Sequence, residues 1–391
     1  MSLGSKRFSI VCLSQSPWEA ALPTNRQQIM RRAAERGHRV LFVETSPFLG
    51  RRLLERRRPP SLRPVDRGDG VSTLEALNVA PWGHRYPSAG ALNSSLTARL
   101  VHRAARDLPQ PVVLWIYDPW TARMVGSCGE AFSVYDCVDD YSSLAFYTVR
   151  EQALAARGDH RAALSSRLVF ATTSTLYERH RRVNSNTYLV PNVGDFDLFS
   201  AAADPALIAP ELGSLQHPVI GFMGNFMLEK VDLELLEGVA AARPDWTFLL
   251  IGPAEERARL VLQRIAAGNP NVRWLGHRPY EDLPRYVAAF DVGLCPNRWN
   301  DYGRSCFPLK LYEYLAAGKP VVASGNPDLG NMEPDVRLAR GVDEFVAAIE
   351  LALATRTDAD RSRRMATASR NTWETRASRL LELVEAELGR P

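Results

Sequence analysis

Long apolar runs are missing from this chain of 391 residues. Nothing approaches the roughly 18 uncharged apolar residues that a membrane-spanning helix needs. Met1 to Gly4 opens no charged-then-apolar leader pattern, and the expectation is a soluble, cytoplasmic protein. Cysteine is scarce. Cys12, Cys128, Cys137, Cys295 and Cys306 include no CxxC pair, and most lie in or beside apolar segments, which reads as reduced, buried thiols. The seven histidines form neither HExxH nor a Cys/His cluster, so no structural zinc site is expected. The densest basic run lacks aromatic interleaving, and no helix-turn-helix or RRM pattern occurs, which argues against nucleic acid as a partner.

What is present is enough apolar sequence, 46% of residues, for two hydrophobic cores. The formal charge of +4 divides unevenly: residues 1–200 carry 26 Lys+Arg against 18 Asp+Glu, and the remainder 22 against 26. The basic half should meet something anionic. Its densest run, RRLLERRRPPSLRP at 51–64, has two readings. One is a solvated arginine-rich loop. The other, helped by Phe48, Leu49, Leu53 and Leu54, is a patch for anionic lipid headgroups at the inner face of a membrane.

Apolar strand-like runs alternate with helical patterns along most of the chain. FSIVCLS (8–14), RQQIMRRAAERG (26–37) and HRVLFVE (38–44) make one βαβ unit. VVLWIY (112–117), AFSVYD (131–136), an Ala-rich helix near 142–165, RLVFATT (167–173) and NTYLVPN (186–192) continue it. Residues 45–92, rich in Pro, Gly and Arg, read as an irregular insertion, and 195–218 as a linker. A second alternation begins with PVIGFMG (218–224) and runs through WTFLLIGP, NVRWLG and DVGLCP. Strands apolar throughout and separated by helices argue for parallel sheets covered on both faces. The expected class is α/β: two doubly wound, Rossmann-like domains, 1–200 and 201–370, with a ligand cleft between them beyond the strand ends. A helix over 371–391 places Trp373, Ala377, Leu380, Leu381 and Val384 on one stripe that needs a packing partner, expected to be the first domain.

PLKLYEYLAAGKPVVASG (308–325) joins a helix to a strand. On a helix beginning near Pro308, Lys310 and Glu313 share a face. A lysine in the first turn opposes the helix dipole, yet it suits a bound diphosphate, and a carboxylate one turn on can accept from both hydroxyls of a ribose. A solvated i, i+3 ion pair is the alternative on spacing alone.

This segment resembles the most characteristic stretch of the group 1 glycosyltransferases (family 4, GT-B fold, retaining, nucleotide-sugar dependent). VPNVGDFDLF (190–199), VIGFMGNFMLEK (219–230) and the run from WTFLLIGP to DVGLCP agree with it, and YDCVDDYSSL and LWIYDPW suggest a subgroup that makes bacterial cell-surface polysaccharides. The resemblance implies a retaining, metal-independent transfer from a nucleotide-diphosphate sugar, most often UDP, to a saccharide or lipid-linked acceptor, with no other cofactor. By position, Glu313 matches the ribose-binding glutamate, Lys230 the pyrophosphate-binding lysine and Gly224 the glycine that lets backbone approach phosphate. Arg278 falls where the base is bound through the main chain. Asn225 stands where the family usually has arginine, and Ser305 where it often has a second glutamate. Arg304, Lys310 and Leu311 complete the implied nucleotide-sugar contacts.

The family's usual N-terminal histidine is absent, and Asp136, Asp139 and Asp140 stand there instead as candidate catalytic acids and bases beside Lys230 and Lys310. A capping role for Asp139 or Asp140 at a helix near Tyr141 is the competing reading. Trp18, Asn25, Arg26, Asp118 and Tyr302 are the candidate substrate contacts. Asp195-Phe196-Asp197 spells the DxD of metal-dependent transferases but falls in the domain-crossing segment, away from a strand end. The rival functions are a nucleotide-sugar epimerase of the same fold and a degenerate binding module.

Overall fold

The computed structural model describes residues 7–20 and 23–390. The chain divides into two compact units, the first running to Pro191 and resuming at Arg376, the second comprising Asn192–Thr375.

In the first unit β1 (Ser9–Leu13), α1 (Asn25–Glu35), β2 (Arg39–Glu44), α2 (Leu49–Leu54), β3 (Val65–Gly68), β4 (Val71–Glu75) and α3 (Pro87–Ala105) follow in order. β5 (Val112–Ile116), β6 (Phe132–Cys137), α4 (Val149–Ser165), β7 (Leu168–Ala171), α5 (Ser174–Arg181) and β8 (Thr187–Leu189) complete the run. Among the described residues they form an eight-stranded sheet in the order β3-β4-β2-β1-β5-β6-β7-β8, parallel except where β3 meets β4. Every residue of β1 and β5 is buried, as strands covered on both faces must be. β1 separates β2 from β5, so the strand order reverses there and a crevice opens at their carboxyl ends.

The 45–92 stretch is corrected by this sheet. β4 pairs in parallel with β2 along its whole length, and Val71, Thr73 and Leu74 are buried. Its short VSTLE pattern is masked by the Pro, Gly and Arg around it. The Ala-rich helix also starts later than expected, at Val149, where Thr148 and Glu151 form a reciprocal capping box.

The second unit begins with α6 (Phe196–Phe199) and three 3-10 turns, then β9 (Val219–Met223), α7 (Leu233–Ala242), β10 (Thr247–Ile251), α8 (Glu256–Gly268), β11 (Val272–Trp274) and α9 (Leu283–Val287). β12 (Val292–Pro296), α10 (Asp301–Ser305), α11 (Lys310–Ala316), β13 (Val321–Ser324), β14 (Val336–Leu338), α12 (Gly341–Ala354) and α13 (Asp358–Ser369) follow. Its six strands are all parallel, in the order β11-β10-β9-β12-β13-β14, with the reversal between β9 and β12. The supposed linker is corrected too: Phe199, Ala202, Ala209, Leu212 and Leu215 are buried in the core of this unit beside Leu311 and Leu315. Their irregular spacing follows 3-10 turns, which have no amphipathic period to read. Asp195 accepts from the Leu198 N–H at 3.2 Å and caps α6, which accounts for half of the DxD match.

The last helix, α14 (Trp373–Leu388), returns the chain to the first unit. The expected stripe of Trp373, Ala377, Leu380, Leu381 and Val384 is buried throughout. Arg376, itself fully enclosed, donates to Asp136 at 3.0 Å and to the carbonyls of Val190 and Pro191. Arg36 donates to Ser378 at 2.6 Å, and Arg167 pairs with Glu387.

Candidate functional site

The carboxyl ends of β9 and β12 gather the residues singled out on α11. Lys310 is the first residue of α11, two later than the expected start, and its Nζ lies 4.3 Å from the centre of the Phe222 ring. Gly224, just past β9, has φ +148°, and a Cβ there would stand 2.6 Å from Lys310 Nζ. Only glycine meets both conditions, the backbone conformation and the close approach. Burial pulls the Lys310 ammonium below the ordinary lysine value, and the nearby charge of Lys230 acts the same way.

Lys230 lies in the loop before α7, whose cap is Asp232, so the helix does not consume it. Its Nζ sits 4.7 Å above the ring of Tyr302, which is itself buried. Two ammonium groups resting on aromatic faces, without a carboxylate in ion-pair contact among the described residues, present positive charge that an anion can neutralise.

Glu313 is only 7% exposed and accepts from the Tyr280 hydroxyl at 2.8 Å. Burial raises its carboxyl from 4.5 to about 7, Asp195 adds to the rise, and the Tyr280 hydrogen bond and Lys310 oppose it. The solvated ion-pair reading of Lys310 and Glu313 is thereby excluded: Glu313 is buried, its hydrogen-bond partner is Tyr280, and no Lys310–Glu313 ion pair forms. Tyr280 and Phe222 are site residues that sequence reasoning missed. One usable signal was composition. The chain holds only four lysines among 48 basic residues, and two of the four are Lys230 and Lys310.

The remaining nucleotide-site candidates separate. Asn225 is exposed in the loop after β9, and Arg304 is exposed on α10. Ser305 is buried with its Oγ lacking a hydrogen-bond partner. The Arg278 guanidinium is held by Tyr286 Oη at 2.9 Å and by the carbonyls of Leu275 and His277, so what Arg278 has to offer a base is its main chain, as expected. The Leu311 N–H donates within its own turn to Pro308 at 3.2 Å, and its side chain lies in the core.

In the first unit a cavity of about 630 Å³ opens where the strand order reverses, from Leu13 at the end of β1 and Ser14 and Gln15 after it to Asp118 and Trp120 after β5. Asp118 is fully buried. Its Oδ1 accepts from the N–H groups of Trp120 at 2.9 Å and Thr121 at 3.2 Å, while Oδ2 has no partner. Burial pushes its carboxyl up, and Arg26 pulls the other way. Arg123 on the 3-10 turn after Trp120 and Arg157 and Arg161 on α4 also line the cavity. Sequence reasoning missed these three arginines, which the fold assembles from distant positions.

The three candidate aspartates have different fates. Asp136 is corrected: it is enclosed within β6 and paired with Arg376, which leaves it no access to a substrate. Asp140 is corrected as well, to a capping residue. It accepts from Ser142 N at 3.0 Å and from Arg179 at 2.6 Å, and although burial opposes its charge, those partners hold its carboxyl below the usual value. Asp139 is half-buried and acts electrostatically on Arg26. Arg26 donates to Tyr141 Oη at 2.6 Å and lies over the Tyr117 ring, while Asn25 is buried at the start of α1 and its carbonyl accepts from Tyr117. Trp18 is corrected to a core residue, edge-on to Phe42 at 5.1 Å.

Cys137, Asp159 and His180 also meet in this unit, with ligand-type atoms within 4.8 Å of one another. Tyr135 donates to Asp159 at 2.6 Å and His180 Nε2 lies 3.4 Å from Cys137 Sγ, so the cluster is a mutually hydrogen-bonded core network. In the sequence these residues are too far apart to register as a pattern.

Comparison with known proteins bears on both units. Residues 217–355 match the sequence model described as "Glycosyl transferases group 1". TuaH of Bacillus subtilis (strain 168), which carries the name of a teichuronic acid biosynthesis glycosyltransferase, is 36% identical over 149 residues. That match spans 37% of this chain and 36% of the relative's length. Among solved structures, a sucrose-phosphate synthase from Thermosynechococcus elongatus superposes with a TM-score of 0.75 at 17% identity, covering 98% of this chain and 99% of that one. Anabaena HepE in complex with UDP and glucose gives 0.68 at 17% identity, over 97% and 100% of the two chains. A UDP-forming trehalose-phosphate synthase from Burkholderia xenovorans, in complex with glucose-6-phosphate, gives 0.70 at 12% identity over the same shares. Such identities show the fold alone, and that fold is GT-B, built of two Rossmann-like units.

Proposed function

With residues 217–355 forming a group 1 glycosyltransferase domain, we propose that the chain is a retaining glycosyltransferase. It transfers a sugar from a UDP-sugar to a hydroxyl of a saccharide or lipid-linked acceptor in the building of a polysaccharide. The observation that carries the donor reading is the grouping of Gly224, Lys230, Lys310 and Glu313 at the strand reversal of the second unit. The complexes of HepE with UDP and UDP-glucose and the name of TuaH support the donor class and the polysaccharide product.

In this reading Glu313 accepts from the ribose hydroxyls, with Tyr280 fixing its other contact. Lys310 and Lys230 neutralise the diphosphate, whose charge grows as the glycosidic bond to the leaving group breaks, and such leaving-group stabilisation is usually the largest catalytic effect. Both ammonium groups are desolvated or seated on rings, so they need no reorganisation to meet that charge. Their two charges serve the diphosphate in place of a metal. The acceptor is assigned to the cavity of the first unit, with Asp118 on its wall as a hydroxyl acceptor, and Asp139, outside the cavity lining, is the remaining candidate base.

Asn225 and Ser305, standing in place of the family's arginine and second glutamate, favour one rival, a module that binds a nucleotide-sugar without turning it over. A thermal-shift screen of nucleotide-sugars followed by a UDP-release assay separates the two, because a ligand of the native state stabilises it by mass action. Stabilisation by a UDP-sugar with acceptor-dependent UDP release is the expected result. Binding without release across a broad acceptor panel would establish the module instead.

The membrane contact belongs to this proposal. On α2 Leu53 and Leu54 are 79% and 86% exposed, and exposed Arg56, Arg58 and Arg63 follow, whereas Arg52 turns inward to Glu75. Sedimentation with phosphatidylglycerol vesicles should be salt-sensitive and should be lost in a L53S/L54S variant.

A further inference from the structure

We propose that the cavity of the first unit binds an anionic saccharide, one whose carboxylate or phosphate groups are clamped by Arg123, Arg157 and Arg161 while Trp120 supplies a face for a sugar ring. This rests on the transferase reading only in making that saccharide the acceptor.

The charge of the cavity is the first observation. Three guanidinium groups line it, and none of them forms an ion pair with a carboxylate among the described residues. Arg123 donates to the Pro87 carbonyl at 2.7 Å, which fixes its place without neutralising it. Arg157 and Arg161 are one helical turn apart on α4, a like-charge spacing that disfavours a free helix. Burial, followed by the charge of Arg161, weakens the hold of Arg123 on its proton, which places those two groups in one field. The carboxylates of that helix are already engaged: Asp159 by the Tyr135 hydroxyl at 2.6 Å and by His180, and Glu151 by Arg85 at 3.1 Å and by the Thr148 cap. All three side chains are exposed, so water holds their charge until an anion replaces it, and guanidinium forks match carboxylate and phosphate oxygens in pairs.

The second observation is that the cavity is built rather than incidental. Gly158 lies between Arg157 and Arg161, and a Cβ on it would come within 2.5 Å of the Pro119 carbonyl oxygen. The arginine-bearing turn of α4 is thus drawn directly onto the loop that carries Asp118. Asp118 lines the same space, and its carboxylate suits a sugar hydroxyl. An acceptor-only oxygen for hydroxyls, an indole face and three cations describe a charged sugar better than a neutral one. The volume of about 630 Å³ falls in the range of small-ligand sites.

The test is isothermal titration of the full chain with trigalacturonate, glucose 6-phosphate and the neutral trisaccharide maltotriose, repeated in R123A, R157A and R161A singly and together. At least one anionic probe should bind about tenfold or more tighter than maltotriose. Its affinity should fall by about tenfold per arginine removed, as expected for charge-assisted hydrogen bonds, and should drop with salt. Binding by trigalacturonate alone identifies a carboxylate ligand, and by glucose 6-phosphate alone a phosphate ligand. The inference is overturned if neither anion outbinds maltotriose, or if the triple variant, with an unchanged thermal melt, binds the anion as well as the wild type. Titration with UDP runs beside it. UDP binding with no anionic-saccharide binding leaves the transferase reading standing without this inference. The reverse leaves the cavity assignment standing without that reading.

Discussion

Glu313→Gln should stabilise the protein at neutral and alkaline pH while loosening its hold on a nucleotide-sugar. Burial lifts the Glu313 carboxyl from 4.5 to about 7. At about 1.4 kcal/mol per pH unit, that displacement corresponds to about 3 kcal/mol. Its sign follows from proton uptake: between those values the folded state holds the proton that the unfolded chain has released, so stability is full below 4.5 and is lost as pH rises towards 7. Glutamine keeps an acceptor for Tyr280 and carries no charge to desolvate. Urea unfolding at about pH 8 should therefore find E313Q more stable by up to about 3 kcal/mol, with most of the difference gone by about pH 5. Ribose hydroxyls donate to the ionised carboxylate, so wild-type affinity for UDP-glucose, whose diphosphate ester does not titrate in this range, should climb with pH and level off above about 7. The variant should bind about 10- to 100-fold more weakly at alkaline pH, with a flat profile. A pH-independent wild-type affinity, or a variant less stable than wild type at about pH 8, would refute the reasoning.

Lys310→Ala and Lys230→Ala should each lower kcat by about 100-fold, measured as UDP release, and near-normal rates in both would remove the proposed diphosphate site. Asp140→Asn loses its charged pairing with Arg179 and should lower the melting temperature with little change in kcat, whereas Asp139→Asn should cut kcat by about 100-fold or more; an active D139N enzyme would strike Asp139 from the list of bases. Arg376→Ala leaves Asp136 buried without its ion-pair partner and should cost about 3 to 5 kcal/mol in urea unfolding. A stable R376A protein would show that the Asp136 pair contributes little.

The parts that the sequence revealed share one property, a uniform environment along the segment. β1, β5 and β12 are buried at every position, so their apolar runs stand out, and the α14 stripe keeps one face against one partner. β4 was hidden because only three of its five residues are buried and its flanks are polar. The 195–218 segment was hidden because its core residues sit on successive 3-10 turns. At the nucleotide site, Lys310 and Glu313 were legible as neighbours on one short helix, while Tyr280 reaches Glu313 from 33 positions away. The aspartates of YDCVDDY were legible as a cluster but not by role, since β6 ends at Cys137: Asp136 lies within the strand and meets Arg376, while Asp140 caps the turn that follows and meets Arg179. The cavity of the first unit was least legible. Its walls come from segments between Leu13 and Arg161, and no local pattern links them.

The pairing of Asp136 with Arg376 spans 240 positions, and it sets a timetable for synthesis. A ribosome adding about 5 to 20 residues per second reaches Arg376 some 12 to 50 s after Asp136 has been made. During that interval the second unit is translated in full, while the half begun earlier still lacks the helix that covers its last strands and neutralises its buried carboxylate. The older half is therefore the later one to mature, and it is the one exposed to chaperones and proteases in the meantime. Lesions in the final helix, or tags that delay its docking, should be felt as misfolding of the residues translated first.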